Sequence, residues 1–226
     1  MKIKLIFLGL LVAMGVSAQV ATITTNSLPN VVIPDGSPIG VANQITISGS
    51  TGWISNISVS LDITGGFNGD LYAYLLGPQG QMVVLLNRVG LSVASDTGYG
   101  DSGFNITLSD GASNIHNYQS GAYSISGGQL TGVWAPDGRI IDPLTSSGSL
   151  FGTTSPTQFL SVFTDASANG NWQLFVSDLS NGGQSTLVSW GLTIATVPEP
   201  SSATYLLFAA LAMGVLALRT RSYSKS

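Results

Sequence analysis

The stretch Asn56–Thr64, NISVSLDIT, alternates without a break: Ile57, Val59, Leu61 and Ile63 fall on one side, Ser58, Ser60, Asp62 and Thr64 on the other. Period-two alternation is the mark of a strand with one buried face, and such a face has to be covered by a second layer. Similar runs recur. Leu71–Leu76 and Met82–Leu86 flank Gly77-Pro78-Gln79-Gly80, a turn sequence, and read as a hairpin. Asn171–Asp178 and Ser185–Ile194 read as another pair, joined by LSNGGQ. In that pair Trp172, Leu174 and Val176 share one face, as do Val188, Trp190, Leu192 and Ile194. Residues 89–160 are rich in Gly, Ser and Asp, and strands are placed there only roughly, at FNITLS and GAYSIS. No window between the two chain ends has helical periodicity. Many short strands between Gly, Pro and Asn turns imply an all-β sandwich or barrel.

The two ends differ from this body. MKIKLIFLGLLVAMGVSAQ has Lys2 and Lys4, then an apolar run from Leu5 to Val16, then the small residues Val16-Ser17-Ala18. This is the pattern of a secretory signal, with cleavage expected between Ala18 and Gln19. At the other end, Ala203–Leu218 is sixteen residues without charge, preceded by Pro198-Glu199-Pro200 and followed by Arg219 and Arg221. As a helix it spans roughly 24 Å, short for a bilayer core of about 30 Å. The prolines block extension towards the N-terminus. The expected organisation is a signal helix at 1–18, one domain at 19–196 and a tail at 197–226 with a short transmembrane helix, whose basic end faces the cytoplasm. The positive mean hydropathy of +0.36 comes largely from the two ends.

With both ends set aside, ten Asp and two Arg, with no Lys or Glu, leave the body at −8 with His116 neutral. Nucleic-acid binding needs Lys and Arg against phosphates and is excluded as an expectation. The chain has no cysteine. Thiolate chemistry and disulfides are therefore absent, and an exported domain of this kind depends on its core alone. No internal repeat or long linker divides it. A serine-protease triad needs a histidine, and the sole one, His116 in NIHNYQ, reads as a surface or half-buried loop residue. No G-x-S-x-G elbow surrounds a serine. GYGDSG at Gly98–Gly103 fits G-x-G-x-x-G but neither follows a clear strand nor opens a helix, so it reads as a glycine-rich turn.

Three stretches taken together resemble the P domain (P/Homo B domain) of subtilisin-like proprotein convertases. The first is Asn56–Arg88, with Gly69-Asp70-Leu71, Gly77-Pro78-Gln79-Gly80 and Arg88. The second is the closing pattern Asn169-Gly170, Trp172, Leu174, Val176, Asp178, Leu187 and Trp190. The third is LTGVWAPDG, Leu130–Gly138, and VVIPDGSPIGVANQITI resembles the usual lead-in. The resemblance spans roughly residues 25–196. It departs at Gly183, where an acidic residue is usual, and at Ser185, where glycine is usual. It implies a jelly-roll-type β-sandwich that accompanies a protease and is not itself catalytic.

The tail is similar to the PEP-CTERM sorting signal. Pro198, Glu199 and Pro200 match its tripeptide, and Arg219 and Arg221 its basic end. That resemblance implies export in a Gram-negative bacterium, recognition by an exosortase and delivery to the cell envelope or extracellular matrix, with transient anchoring in the inner membrane. The partners so implied are the exosortase and either a subtilisin-like protease or an extracellular polysaccharide.

Calcium is the cofactor an all-Asp acidic set permits, because hard cations take carboxylate and carbonyl oxygens. The candidate ligands are Asp70 and Asp178, on the strongest motifs, and Asp101 and Asp110, in loops. No EF-hand spacing is present, and Asp70 reads more readily as a turn residue bonded to backbone amides. Tyr72 and Tyr74 read either as a sugar platform or, more simply, as cross-strand packing.

Overall fold

The computed structural model describes residues 20–198 and Met213. The expected signal residues with their Ala18/Gln19 junction lie outside the described residues, as do Glu199, Pro200, Arg219, Arg221 and, Met213 apart, the apolar span. Among the described residues no helix is long and apolar enough to cross a membrane.

The body is the expected all-β sandwich, with two sheets. In chain order the strands are β1 (Ala21–Ser27), β2 (Val31–Ile33), β3 (Ser37–Ile47), β4 (Trp53–Gly65), β5 (Leu71–Leu76), β6 (Met82–Asn87), β7 (Phe104–Leu108), β8 (Ser124–Ser126), β9 (Gln129–Trp134), β10 (Gly170–Asp178) and β11 (Ser185–Val197). The larger sheet has the order β1-β11-β4-β7-β9-β8, with β2 also pairing β11; the smaller is β3-β10-β5-β6. Pairing is antiparallel apart from β7 with β9. One short helix, α1 (Gly148–Thr153), has its first turn capped by Ser147.

The alternation in β4 orders the core. Ile57, Val59, Leu61 and Ile63 are buried, and Leu71, Ala73 and Leu75 of β5 meet them from the other sheet together with Trp172, Leu174 and Val176 of β10. The Trp190 indole N–H ties the two sheets by donating to Asn43 Oδ1 at 2.7 Å.

Two expectations are corrected. The runs Asn171–Asp178 and Ser185–Ile194 are strands but do not pair: β10 lies between β3 and β5, and β11 lies between β1 and β4 in the other sheet. LSNGGQ crosses from one layer to the other. The face of β11 is also different. A bulge between Leu187 and Ser189 shifts the phase, so Leu187 joins Trp190, Leu192 and Ile194 in the core while Val188 is only partly buried. Opposite that bulge the edge strand breaks into β1 and β2, and Asn30 N–H donates to the Val188 carbonyl.

The long run from Arg88 to Asn169 contributes β7, β8 and β9 to the larger sheet, and its loops wrap the frame. Asp137 and Gly138 donate backbone N–H groups to Leu85 and Val84, and the Gln158 side chain accepts from Val84 N–H. The free edge of β6 is thereby covered, which removes a template for intermolecular pairing.

Candidate functional site

The crossover from β4 to β5 passes through a 3-10 turn, Asn68–Asp70, that is buried throughout. Asn68 organises it. Its Oδ1 accepts from Gly103 N–H at 2.8 Å and its Nδ2 donates to Tyr118 Oη at 3.2 Å. Gly69 packs so closely on the 97–99 backbone that a Cβ would collide with the Thr97 carbonyl. The next residue, Asp70, is therefore held at the floor of a cleft of about 300 Å³ between Phe67, Thr97–Gly100 and Ser180–Asn181.

Asp70 and Asp178 come together there. Arg88 Nη2 stands 4.0 Å from Asp70 Oδ1 and donates to Ser180 Oγ at 3.0 Å. Asp178 is fully buried and accepts from the Ser185 hydroxyl at 3.2 Å. Ser185, one of the departures from the family pattern, thus supplies a hydrogen bond to the second carboxylate. Burial raises the Asp70 carboxyl above its ordinary range, against the lowering influence of Ser180 and Arg88. Burial likewise pushes Asp178 up to about 6, opposed by its hydrogen bonds and reinforced by Asp70 and Asp35. Asp35, which the sequence analysis did not single out, belongs to this group; its Oδ2 accepts from Gly182 N–H at 3.3 Å. The turn sequence Pro34-Asp35-Gly36 was its only signal.

The other two candidates are engaged elsewhere. Asp101 Oδ2 accepts from Tyr118 Oη at 2.8 Å and from Gln119 Nε2 at 2.7 Å. Asp110 accepts the backbone N–H groups of Leu160 and Ser161, capping a 3-10 turn. Among the described residues no three acidic or imidazole side chains converge as metal ligands. A calcium ion needs six to eight oxygens. Asp70, Asp101, Asp110 and Asp178 do not form one such set, and the Arg88 guanidinium already stands beside Asp70.

His116 is corrected from a surface or half-buried residue to a fully buried one, 1% exposed. Its Nδ1 lies 2.8 Å from Asp137 Oδ2, and its Nε2 lies 3.1 Å from the Leu91 carbonyl. Asp137 Oδ1 in turn accepts from Arg139 Nη1 at 3.0 Å. Both ring nitrogens face oxygen acceptors, and neither faces a serine hydroxyl. The arrangement is a buried brace for the loops. Gly98–Gly103 leads into β7 and not into a helix, as its context suggested. Tyr74 stacks on its cross-strand partner Phe175 at 4.9 Å, and Tyr72, two residues away on the same strand, packs beside Tyr74 at 6.1 Å.

Residues 134–194 match the family model described as the proprotein convertase P-domain. This interval includes the closing pattern from Trp172 to Trp190; Asn56–Arg88 lies outside it. No curated protein matches the chain. Among solved structures, the serine protease of Aeromonas sobria in complex with its chaperone is 14% identical, with a TM-score of 0.44, over 80% of this chain and 28% of that one. The same organism's serine protease alone is also 14% identical, with a TM-score of 0.43, over 79% of this chain and 27% of that one. The chain thus spans little more than a quarter of the length of those proteins. Over residues 134–194 it is similar to the proprotein convertase P-domain family.

Proposed function

We propose that this protein is an exported, non-catalytic β-sandwich of P-domain type that acts by binding. In this reading its tail at 197–226, with Pro198, Glu199, Pro200, Arg219 and Arg221, is a PEP-CTERM address read by an exosortase-type enzyme. Its destination is the envelope or extracellular matrix of a Gram-negative bacterium. The observation that carries the non-catalytic part is the P-domain match in a chain whose sole histidine is buried, with both ring nitrogens facing acceptors. The test is the intact mass of the native protein from inner-membrane, outer-membrane and medium fractions. A species beginning at Gln19 and ending near Val197–Pro200 outside the inner membrane is expected. A full-length species confined to the inner membrane would overturn the sorting step. Peptidase activity of the purified chain that His116→Ala abolishes would overturn the non-catalytic reading.

The P-domain match also favours a second reading, an accessory module that docks on and stabilises a separate subtilisin-like protease. Co-purification of such a protease with the tagged native chain is its expected sign. A protease whose thermal inactivation is unchanged by adding the chain would speak against it.

A further inference from the structure

We propose that the pocket at Trp53 is a binding site for a neutral saccharide. It deepens the binding role proposed above and rests on that reading. The pocket has a volume of about 510 Å³ and is lined chiefly by Ser50, Gly52, Trp53, Gln79, Gln81 and Ser167. It forms where three connections meet: β3 to β4, the β5–β6 turn, and the run into β10. Each is tied to another. Asn169 accepts from Ser50 N–H and donates to the Ser50 carbonyl, both at 2.8 Å. Ile54 N–H donates to the Ala166 carbonyl at 2.8 Å, and Gln79 Nε2 donates to the Ser167 carbonyl at 3.3 Å. Gly52 has a φ of +88° and lies against the Val197 carbonyl, where a Cβ would collide. The walls are therefore set before a ligand arrives.

The chemistry of the lining selects the ligand class. None of its residues is charged, so an anion or a cation finds no counter-charge. Trp53 is 45% exposed, and its bridge to Ser167 places it at the pocket wall. An exposed indole offers an apolar face to the C–H side of a sugar ring. The two glutamine amides carry both donors and acceptors, the match for neighbouring hydroxyls. Gln81 Nε2 already donates to Gln79 Oε1 at 2.9 Å, which aligns the pair. Two buried oxygens of the lining, Ser50 Oγ and Gln81 Oε1, have no hydrogen-bond partner among the described residues. An unmet buried polar atom is costly, and a side-chain rotation that brings either oxygen to a sugar hydroxyl relieves it. A purely apolar ligand would leave all of these groups unmatched.

The experiment uses the full chain in detergent, titrated with neutral hexasaccharides of glucose, mannose and galactose and with acidic oligomers of galacturonate. Trp53 is the exposed indole; Trp134, Trp172 and Trp190 are 7%, 0% and 1% exposed, so iodide quenching reports mainly on Trp53. At least one neutral hexasaccharide is expected to bind by calorimetry and to shield Trp53 from iodide. Trp53→Ala and Gln81→Ala should each weaken binding about tenfold or more, and Tyr72→Phe should leave it unchanged. Gln79→Ala, an exposed turn position, provides a folded variant with the same expected loss should Trp53→Ala misfold. Failure of all neutral probes, equal binding of the acidic oligomers, binding unaffected by the glutamine substitutions, or a response only to an apolar or peptide ligand overturns the proposal. The fractionation described above fails independently, since a chain retained in the inner membrane can still bind a saccharide in detergent.

Discussion

The interior between the two sheets and the loops that flank β7, β8 and β9 between Arg88 and Asn169 are held together by different chemistry. Between the sheets the contacts are apolar: Ile57, Val59, Leu61 and Ile63 against Leu71, Leu75, Trp172 and Leu174, all buried. Along those loops the fixed points are polar. Asn68 and Asp101 grip Tyr118, Asp137 braces His116 and Arg139, and Asn87 donates to the carbonyls of Arg139 and Ile141. Apolar burial is non-directional and tolerates exchange among similar side chains. Buried polar contacts are directional, and removing one partner leaves the other buried and unmet. The frame should therefore give way gradually, and the loops abruptly.

The largest effect is expected in the frame. Trp172 is fully buried, packs edge-on against Phe163 at 5.0 Å and donates its indole N–H to the Ala168 carbonyl at 2.9 Å. Trp172→Ala should cost about 3–5 kcal/mol, a large share of a typical domain's stability. Chemical denaturation should show one weakened transition for the whole body. Loss confined to those loops would contradict the division.

Removing the centre of the polar network should do the opposite. Asp137→Ala leaves His116 and Arg139 buried without their carboxylate, a change that costs about 3 kcal/mol or more. The expected result is faster hydrogen exchange and proteolysis in the loops at 109–123 and 135–160, with β5, β7 and β10 still protected. Uniform acceleration through both sheets would show that these loops open only together with the frame.

The same division explains what was legible. Alternation marked β4, β5, β10 and β11 because each has one apolar face. It gave the face and not the neighbour, so β10 and β11 were read as a hairpin although LSNGGQ carries the chain between layers. The bulge at Val188 was invisible because both Leu187 and Val188 are apolar. The burial of His116 depends on Asp137, 21 residues on and in no periodic relation to it. Asp70 and Asp178 were found through motifs on neighbouring strands of the smaller sheet. Asp101 and Asp110 were grouped with them by residue type alone, and the fold assigns them to separate turns. The Trp53 pocket draws on three connections at once, an assembly that no local pattern announces.

The smallest expected effect separates the regions by pH. Asp178 belongs to the frame, at the end of β10, and its carboxyl is raised from 3.8 to about 6 chiefly by burial. Between those values the folded chain keeps a proton that the unfolded chain has released. Stability therefore falls as pH rises from about 4 to about 6, the sign opposite to that of a salt-bridged carboxylate. Asp70 is shifted in the same direction and adds to the fall. After discounting for screening by solvent, the Asp178 contribution is on the order of 1 kcal/mol. Asp178→Asn keeps an acceptor for Ser185 and removes the titration, so its melting temperature should vary less with pH across that window than the parent's. Parallel pH profiles for parent and variant would mean that Asp178 is ionised throughout. The hydrogen bonds from Ser180 N–H and the Ser185 hydroxyl would then outweigh the burial that raises this carboxyl.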